Sequence, residues 1–428
     1  MLNQTTLFNN SWLFAKSDLN ESTSSSLKFS PVEIPPHDWL IYDTNNLRED
    51  SIGWYKKVYE YNPSLEKDIL LTFEGVYMDS VLYVNDQKVG EWKYGYSKFE
   101  YNITDFLIKG TNQLLMKVTY QSPNSRWYTG AGIYRDVWLK ERSENYIETD
   151  GIYVSTFKEN EKWRVEIDTS LSVAESLMLR HTLRKDGIVV TQTVSDLKAK
   201  QMIDQAVLAI DYPELWDINK PNLYELTTTL ETKSNSQIIE SQTQNIGFKH
   251  VVFDTDRGFF LNGQHMKIYG VNEHHDLGAL GAAINIHALR RRMQILKEMG
   301  VNAIRTAHNM PAKEMMMLAD EMGFLIVTEA FDMWERSKTR YDYARFFKEW
   351  HKKDIASWVK RDRNHVSLIM WSIGNEIYDT HADERGQQLT QLLMDAVYQF
   401  DPRKMRLLRL DPIICLGKML RNVLILSS

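Results

Sequence analysis

From residue 14 to residue 142, apolar and polar positions alternate in short runs closed by turn residues. Val81, Leu82, Tyr83 and Val84 run into Asn85 and Asp86, and residues 113–118 make a second run of the same kind. Alternation of this period turns one face of a strand inward, and the Asn-Asp pair suits a tight turn. Many short strands at this spacing predict a β-sandwich of the jelly-roll type. A second β unit spans residues 145–248. There Asp186-Gly187 separates residues 179–185 from 188–194, a hairpin signal, and Trp163, Val165 and Ile167 alternate as in a half-buried strand. Nothing in this unit asks for chemistry, so it reads as a spacer.

Near Gly258 the pattern changes. Residues 259–261 and 266–269 flank Asn262-Gly263 as another hairpin, whose second arm runs on into Gly270, Val271 and Asn272 as a first parallel strand. Leu289, Met293, Leu296 and Met299 then recur at helical spacing, with Asn285 placed to cap the helix and Gly300 to stop it. Residues 302–306 predict a second strand. Pro311 predicts the start of a helix with Met315, Leu318, Ala319 and Met322 inward. A third strand at 324–328 leads to an aromatic-rich connection, 331–342, and a charged helix, 343–360. The apolar run 366–371 is too short for a helix and reads as a buried fourth strand. A last helix, 384–400, carries Leu389, Leu392, Leu393, Ala396 and Val397 on one face. Alternation of strand and helix predicts a parallel sheet of the TIM (β/α)8 barrel type. The fold class is therefore multidomain β plus α/β.

All four predicted parallel strands finish on polar residues. Asn272 to Asp276 end the first, Arg305 to Asn309 the second, Glu329 the third, and Asn375-Glu376 the fourth. A polar mouth at the carboxyl ends of such strands is where barrel enzymes bind substrate. A carboxylate beside an amide, as in Asn375-Glu376, is what an acid/base catalyst needs. The same pair also suits a helix start, with Asn375 as cap and Glu376 in the first turn. Arg305 is suited to hold neighbouring carboxylates by bidentate pairing. His274 and His275 stay open, one able to line the mouth while the other is structural.

Composition narrows the class. A chain of 428 residues with 43% hydrophobic and 25% charged residues is ordinary for a folded multidomain protein. The formal net charge of -6 argues against a nucleic-acid partner. The amino terminus, residues 1–16, is polar and shows no signal-peptide pattern, and no apolar run is long enough to span a bilayer. Cys415, the sole cysteine, rules out internal disulfides and fits a cytoplasmic setting. Twelve Trp and 21 Tyr are many; most are expected in the core, and sugar clefts use such rings as flat platforms with polar edges.

Residues 362–376, ending Trp371-Ser372-Ile373-Gly374-Asn375-Glu376, closely resemble the acid/base signature of glycoside hydrolase family 2. That family holds β-galactosidases, β-glucuronidases and β-mannosidases. Asn302 to His308, with Pro311, Asp320 and Gly323, resembles its other signature, and residues 258–263 and 274–279 look like bacterial β-galactosidases. Residues 36–39, 53–55, 73–76 and 130–138 resemble the family's sugar-binding domain, while Leu215-Trp216 and 221–224 resemble its immunoglobulin-like domain. The likeness runs from about residue 10 to 404. It implies retaining hydrolysis of terminal β-D-galactosides, with Glu376 as proton donor and then general base. It also implies that Asn375 and His308 hold sugar hydroxyls, that His274 lines the mouth, and that Arg305 and Glu329 support them. Trp127 and Tyr128, in the loop 122–132, are expected to shape the pocket from above.

A retaining enzyme needs a second carboxylate, which the family carries as a Glu on its seventh barrel strand. This chain shows four strand-helix units and no Glu beyond Glu384, so the barrel is expected to be incomplete, with no nucleophile. Some family members carry magnesium beside the acid/base. The segment Phe331-Asp332-Met333-Trp334 does not repeat their ligand pattern, so no metal or other cofactor is expected. After Lys404 the likeness stops. Residues 405–428 are basic and apolar without clear period, as after a frameshift or early stop, a natural amphipathic tail being the other reading. The expected domains are a jelly roll at 1–144, an immunoglobulin-like sandwich at 145–250, the first half of a TIM barrel at 251–404, and the tail. The expected partners are a β-galactoside and a second copy or complementing chain. A carbohydrate-binding protein without catalysis, one chain of a split enzyme, and a β-glucuronide substrate are the alternatives.

Overall fold

The computed structural model describes residues 2–21, 23–31, 36–43, 45–63, 67–160, 162–402 and 423–426. The remainder of the expected tail lies outside them. The amino-terminal unit is a sandwich of a six-stranded and a four-stranded antiparallel sheet. Its longest pair, Ser51–Tyr61 and Gly110–Tyr120, stays in register from Tyr61 opposite Gly110 to Ser51 opposite Tyr120. Tyr55, Leu114, Met116 and Val118 of that pair are buried. The second unit packs a three-stranded sheet and a four-stranded sheet around Val165, Ile167, Leu179, Leu226 and Phe248. Asn85-Asp86, Asp186-Gly187 and Asn262-Gly263 all adopt positive φ at both residues, as two-residue hairpins with the favoured twist require.

The third unit holds four parallel strands: Ile268–Glu273, Ala303–Thr306, Leu325–Glu329 and Leu368–Ser372. They lie side by side in chain order, and Val423–Leu426 pairs in parallel with the free edge of the first. Helices α1 (Ile286–Glu298), α2 (Lys313–Met322), α3 (Ala344–Asp362) and α4 (Glu384–Phe400) follow the four strands in turn. The Asn285 side chain caps α1 by accepting from the backbone of His287 and Ala288. Three expectations shift. Met299 is exposed because it follows the last turn of α1 as the chain swings into Gly300. The α2 helix starts at Lys313, with Ala312 still extended, not at Pro311. The hairpin arm breaks at Lys267, so Gln264–Met266 and the first barrel strand are separate elements.

The sandwich and the barrel share one apolar core, which runs from Trp12 and Phe73 through Tyr94 and Phe331 to Trp371. Polar contacts across the seam fix its geometry. Tyr94 donates to the Ala330 carbonyl at 2.6 Å, and the buried Arg135 donates to Tyr96 and Met310 carbonyls at 3.0 Å each. Asp38 ties three segments together. Its carboxylate accepts from the backbone of Leu40, Ala131 and Ala282 and from the Tyr128 hydroxyl at 2.6 Å. Gly130 and Gly281 close on the same carboxylate, where a Cβ would come within 2.5 Å and 2.4 Å of Asp38 Oδ2.

On α3, Asp354 is fully buried against the sandwich. It accepts from Trp92 Nε1 at 3.1 Å and Ser97 Oγ at 2.7 Å, and from the Tyr343 hydroxyl. Burial pushes its carboxyl up to about 7. The unfolded chain releases that proton near pH ~4, so between the two values only the folded protein holds it. The stability this group contributes is therefore complete below about pH 4 and lost as pH rises through about 7. Two outcomes are expected. In thermal melts, the advantage of wild type over Asp354→Asn shrinks as pH rises from about 5 to 8; an advantage independent of pH contradicts the assignment. In denaturant titrations, Asp38→Ala is destabilised by about 2–4 kcal/mol, because four donors lose their acceptor.

Candidate active site

Parallel register places the strand-end residues side by side. Asn272 lies opposite Arg305, and Glu329 opposite Ser372. Glu329 has no exposed surface, and both of its oxygens are engaged. Oε2 takes Arg305 Nε at 3.0 Å, Arg305 Nη2 at 2.7 Å and Ser372 Oγ at 2.6 Å, while Oε1 meets His308 Nδ1 at 2.8 Å. Arg305 thus grips one carboxylate oxygen with two nitrogens and still reaches Asn272 Oδ1 at 3.2 Å and Asn375 Oδ1 at 2.9 Å. An arginine only donates, so the Asn375 amide must turn its oxygen to Arg305 and its nitrogen to Asp332 Oδ1, 2.8 Å away. Asn375 is therefore held by side chains of the mouth. The helix-cap alternative fails, because the next helical turn begins at Tyr378 with Ile377 before it.

Glu376 follows with φ of +42°, a conformation that non-glycine residues avoid unless their surroundings impose it. Its side chain is 65% exposed, and its Oε2 meets Arg126 Nη1 at 3.0 Å. The other arm of the same guanidinium reaches Asp332 Oδ1 at 2.9 Å. Asp332 Oδ1 also takes Lys338 Nζ at 2.8 Å, and Lys338 donates as well to the Asn375 carbonyl. Burial pulls the Lys338 ammonium below its ordinary value, with Asp332 opposing the shift. Glu273, at the end of the first strand, is raised by burial and paired with Arg292 at 3.0 Å.

Trp127 reaches the mouth from the sandwich. Its ring centroid lies 5.1 Å from that of His274 and 5.6 Å from that of His308, and its Nε1 donates to the Tyr96 hydroxyl at 3.2 Å. The two histidines left open by the sequence now separate. His274 sits with Trp127 and His308, while His275 Nε2 meets the Thr129 carbonyl at 3.0 Å between the rings of Tyr96 and Tyr134. Burial lowers both, His275 to about 4. Tyr128 is not gathered with these residues, because its hydroxyl is committed to Asp38. Arg126, Asp332 and Lys338 were not singled out from the sequence. The loop of Arg126 was marked by its aromatic neighbours, and Asp332 was weighed only against a metal pattern.

Asp332 Oδ1 already takes two cationic side chains and an amide, and among the described residues no three His, Cys, Asp or Glu side chains gather as a metal site. No helix among them is long and apolar enough to cross a membrane.

Three family models match successive parts of the chain. The sugar binding domain of glycosyl hydrolases family 2 matches residues 31–143, a second family 2 model matches 145–249, and its TIM barrel domain matches 253–406. The β-galactosidase BoGH2A of Bacteroides ovatus is 39% identical over 83% of this chain and 44% of its own. A putative β-glucuronidase of Formosa agariphila is 34% identical over 88% of this chain and 38% of its own. Among solved structures, a glycosyl hydrolase family 2 member from Bacteroides cellulosilyticus superposes with a TM-score of 0.86 at 32% identity, covering 94% of this chain and 55% of that one. The chain spans about half the length of the relatives it matches. With three consecutive domain models of one family matched in order over most of its length, the chain belongs to glycoside hydrolase family 2.

Proposed function

We propose that this chain supplies the acid/base half of a retaining β-glycosidase that acts on terminal β-D-galactosides. The observation that carries the reading is the contrast between Glu376 and three buried or half-buried carboxylates at the mouth. Glu273, Glu329 and Asp332 are engaged by Arg292, Arg305 and Lys338 respectively, while Glu376 alone projects a largely exposed side chain. As the glycosidic bond breaks, Glu376 gives its proton to the leaving oxygen; in the second step it takes a proton from the attacking water. Asn375 keeps one amide hydrogen for a sugar hydroxyl, and His308, with Nδ1 turned to Glu329, keeps Nε2 for another. Trp127 offers an apolar face to the ring.

Glu273, Glu329 and Asp332 are each held by a cation with at most 16% of the side chain exposed, so none of the three is offered as the nucleophile. In this reading the nucleophile comes from outside this chain. A β-glucuronide substrate is the second reading, favoured by the relatives that bear that name. The galactoside reading rests on the β-galactosidase relative at 39% identity.

Chemical rescue tests the assignment. A small anion such as azide can attack the anomeric carbon of an aryl β-galactoside while Glu376 protonates the departing aryl oxygen, giving an α-galactosyl azide and a phenol. The purified chain is expected to turn over 4-nitrophenyl β-D-galactoside slowly alone and faster with azide. For poorer leaving groups, Glu376→Gln is expected to cut the azide-supported rate by roughly 10²–10⁴-fold. Rapid turnover without azide would place a nucleophile on this chain. Preference for the aryl β-glucuronide would favour the second reading.

A further inference from the structure

Behind Trp127, between the sandwich and the loop after the third strand, lies a cavity of about 20 Å³, room for about one water. Tyr77, Tyr94, Tyr96, Trp127, His308 and Asp332 line it. The tyrosine hydroxyls are engaged elsewhere: Tyr77 donates to Asn124 Oδ1 at 3.1 Å, Tyr94 to the Ala330 carbonyl, and Tyr96 accepts from Trp127. These three tyrosines therefore present mainly ring faces. Asp332 differs. Its side chain is 1% exposed, its Oδ1 takes three donors, and its Oδ2 is buried with no partner among the described residues. A buried carboxylate oxygen without a donor is costly, and one lining a cavity beside a substrate mouth is suited to a donor that arrives with the ligand.

Resting on the glycosidase reading above, we propose that Asp332 Oδ2 accepts the C6 hydroxyl of a sugar seated against Trp127, and that it selects a neutral glycone over a uronic acid. A carboxylate oxygen accepts and does not donate. A hydroxyl meets that need, whereas the carboxylate of a uronic acid brings no proton and a like charge. The cations nearby do not reverse the balance. Arg126 and Lys338 face Asp332 and Glu376, two charges against two, and Arg305 is matched by Glu329. Asp332 is thus a specificity-determining residue, one that leaves an unpaired buried acceptor when the wrong sugar binds.

Calorimetric titration of the whole chain with methyl β-D-galactoside and methyl β-D-galacturonide, which differ only at C6, tests this. Wild type is expected to bind the galactoside roughly tenfold or more tightly. In Asp332→Asn, whose amide can donate to a carboxylate, the ratio moves toward one. Equal or tighter binding of the galacturonide by wild type overturns the proposal, as does a ratio unchanged in the variant. The wild-type ratio decides even where Asp332→Asn folds poorly. Galactoside binding without discrimination overturns this inference alone, and binding of neither glycoside overturns the galactoside reading with it.

Discussion

The seam between the sandwich and the barrel is the constraint on which the site depends. Trp12, Phe73, Tyr94, Phe331 and Trp371 belong to one continuous core, so the two units are docked as parts of a single packed body. Apolar burial holds them together but does not set an angle. The angle comes from directional contacts at Asp38, Asp354 and Arg135, each buried and each reaching across the seam. The loop 122–132 is fixed by the same contacts, and it carries Arg126 and Trp127 onto the mouth of the barrel.

Within the mouth, the ion-paired carboxylates differ in exposure, from none at Glu329 to 65% at Glu376. Glu329 is sealed under Arg305, His308 and Ser372, and that pair works as a brace that orients Asn375 and His308. Buried ion pairs of this kind add little net stability, since desolvation offsets much of the attraction, and their use here is to fix geometry. Glu376 needs the opposite treatment. It stands on a backbone turn of positive φ, exposed to the cleft, with Arg126 as its partner from the other domain. The acid/base role proposed for Glu376 needs a side chain that can reach the glycosidic oxygen, which Glu329 under Arg305 cannot.

Much of this was legible in the sequence because it is local. The hairpins at Asn85-Asp86, Asp186-Gly187 and Asn262-Gly263 follow from residues that tolerate positive φ, and the cap at Asn285 from its side-chain oxygen. Strand ends rich in Asn, His, Arg and Glu marked the mouth. What stayed hidden depends on partners far along the chain. Arg126 meets Glu376 across 250 positions, and no periodicity reports such a contact. Tyr128 and Trp127 are adjacent in sequence yet serve different ends, one bound to Asp38 and one facing the histidines. Lys338 is buried in the mouth although its neighbours read as a polar loop. Met299 fits the helical period but falls just past the last turn, where the period no longer governs.

The most direct measurement is a crystal structure of the chain with a non-hydrolysable thio-β-D-galactoside. The result expected is a pyranose ring seated at the strand ends, its glycosidic sulfur within hydrogen-bond reach of Glu376, with Trp127 and His308 against the ring. A sugar bound on the sandwich alone, with Glu376 still paired to Arg126 and the mouth empty of ligand, would contradict the assignment of Glu376 as acid/base.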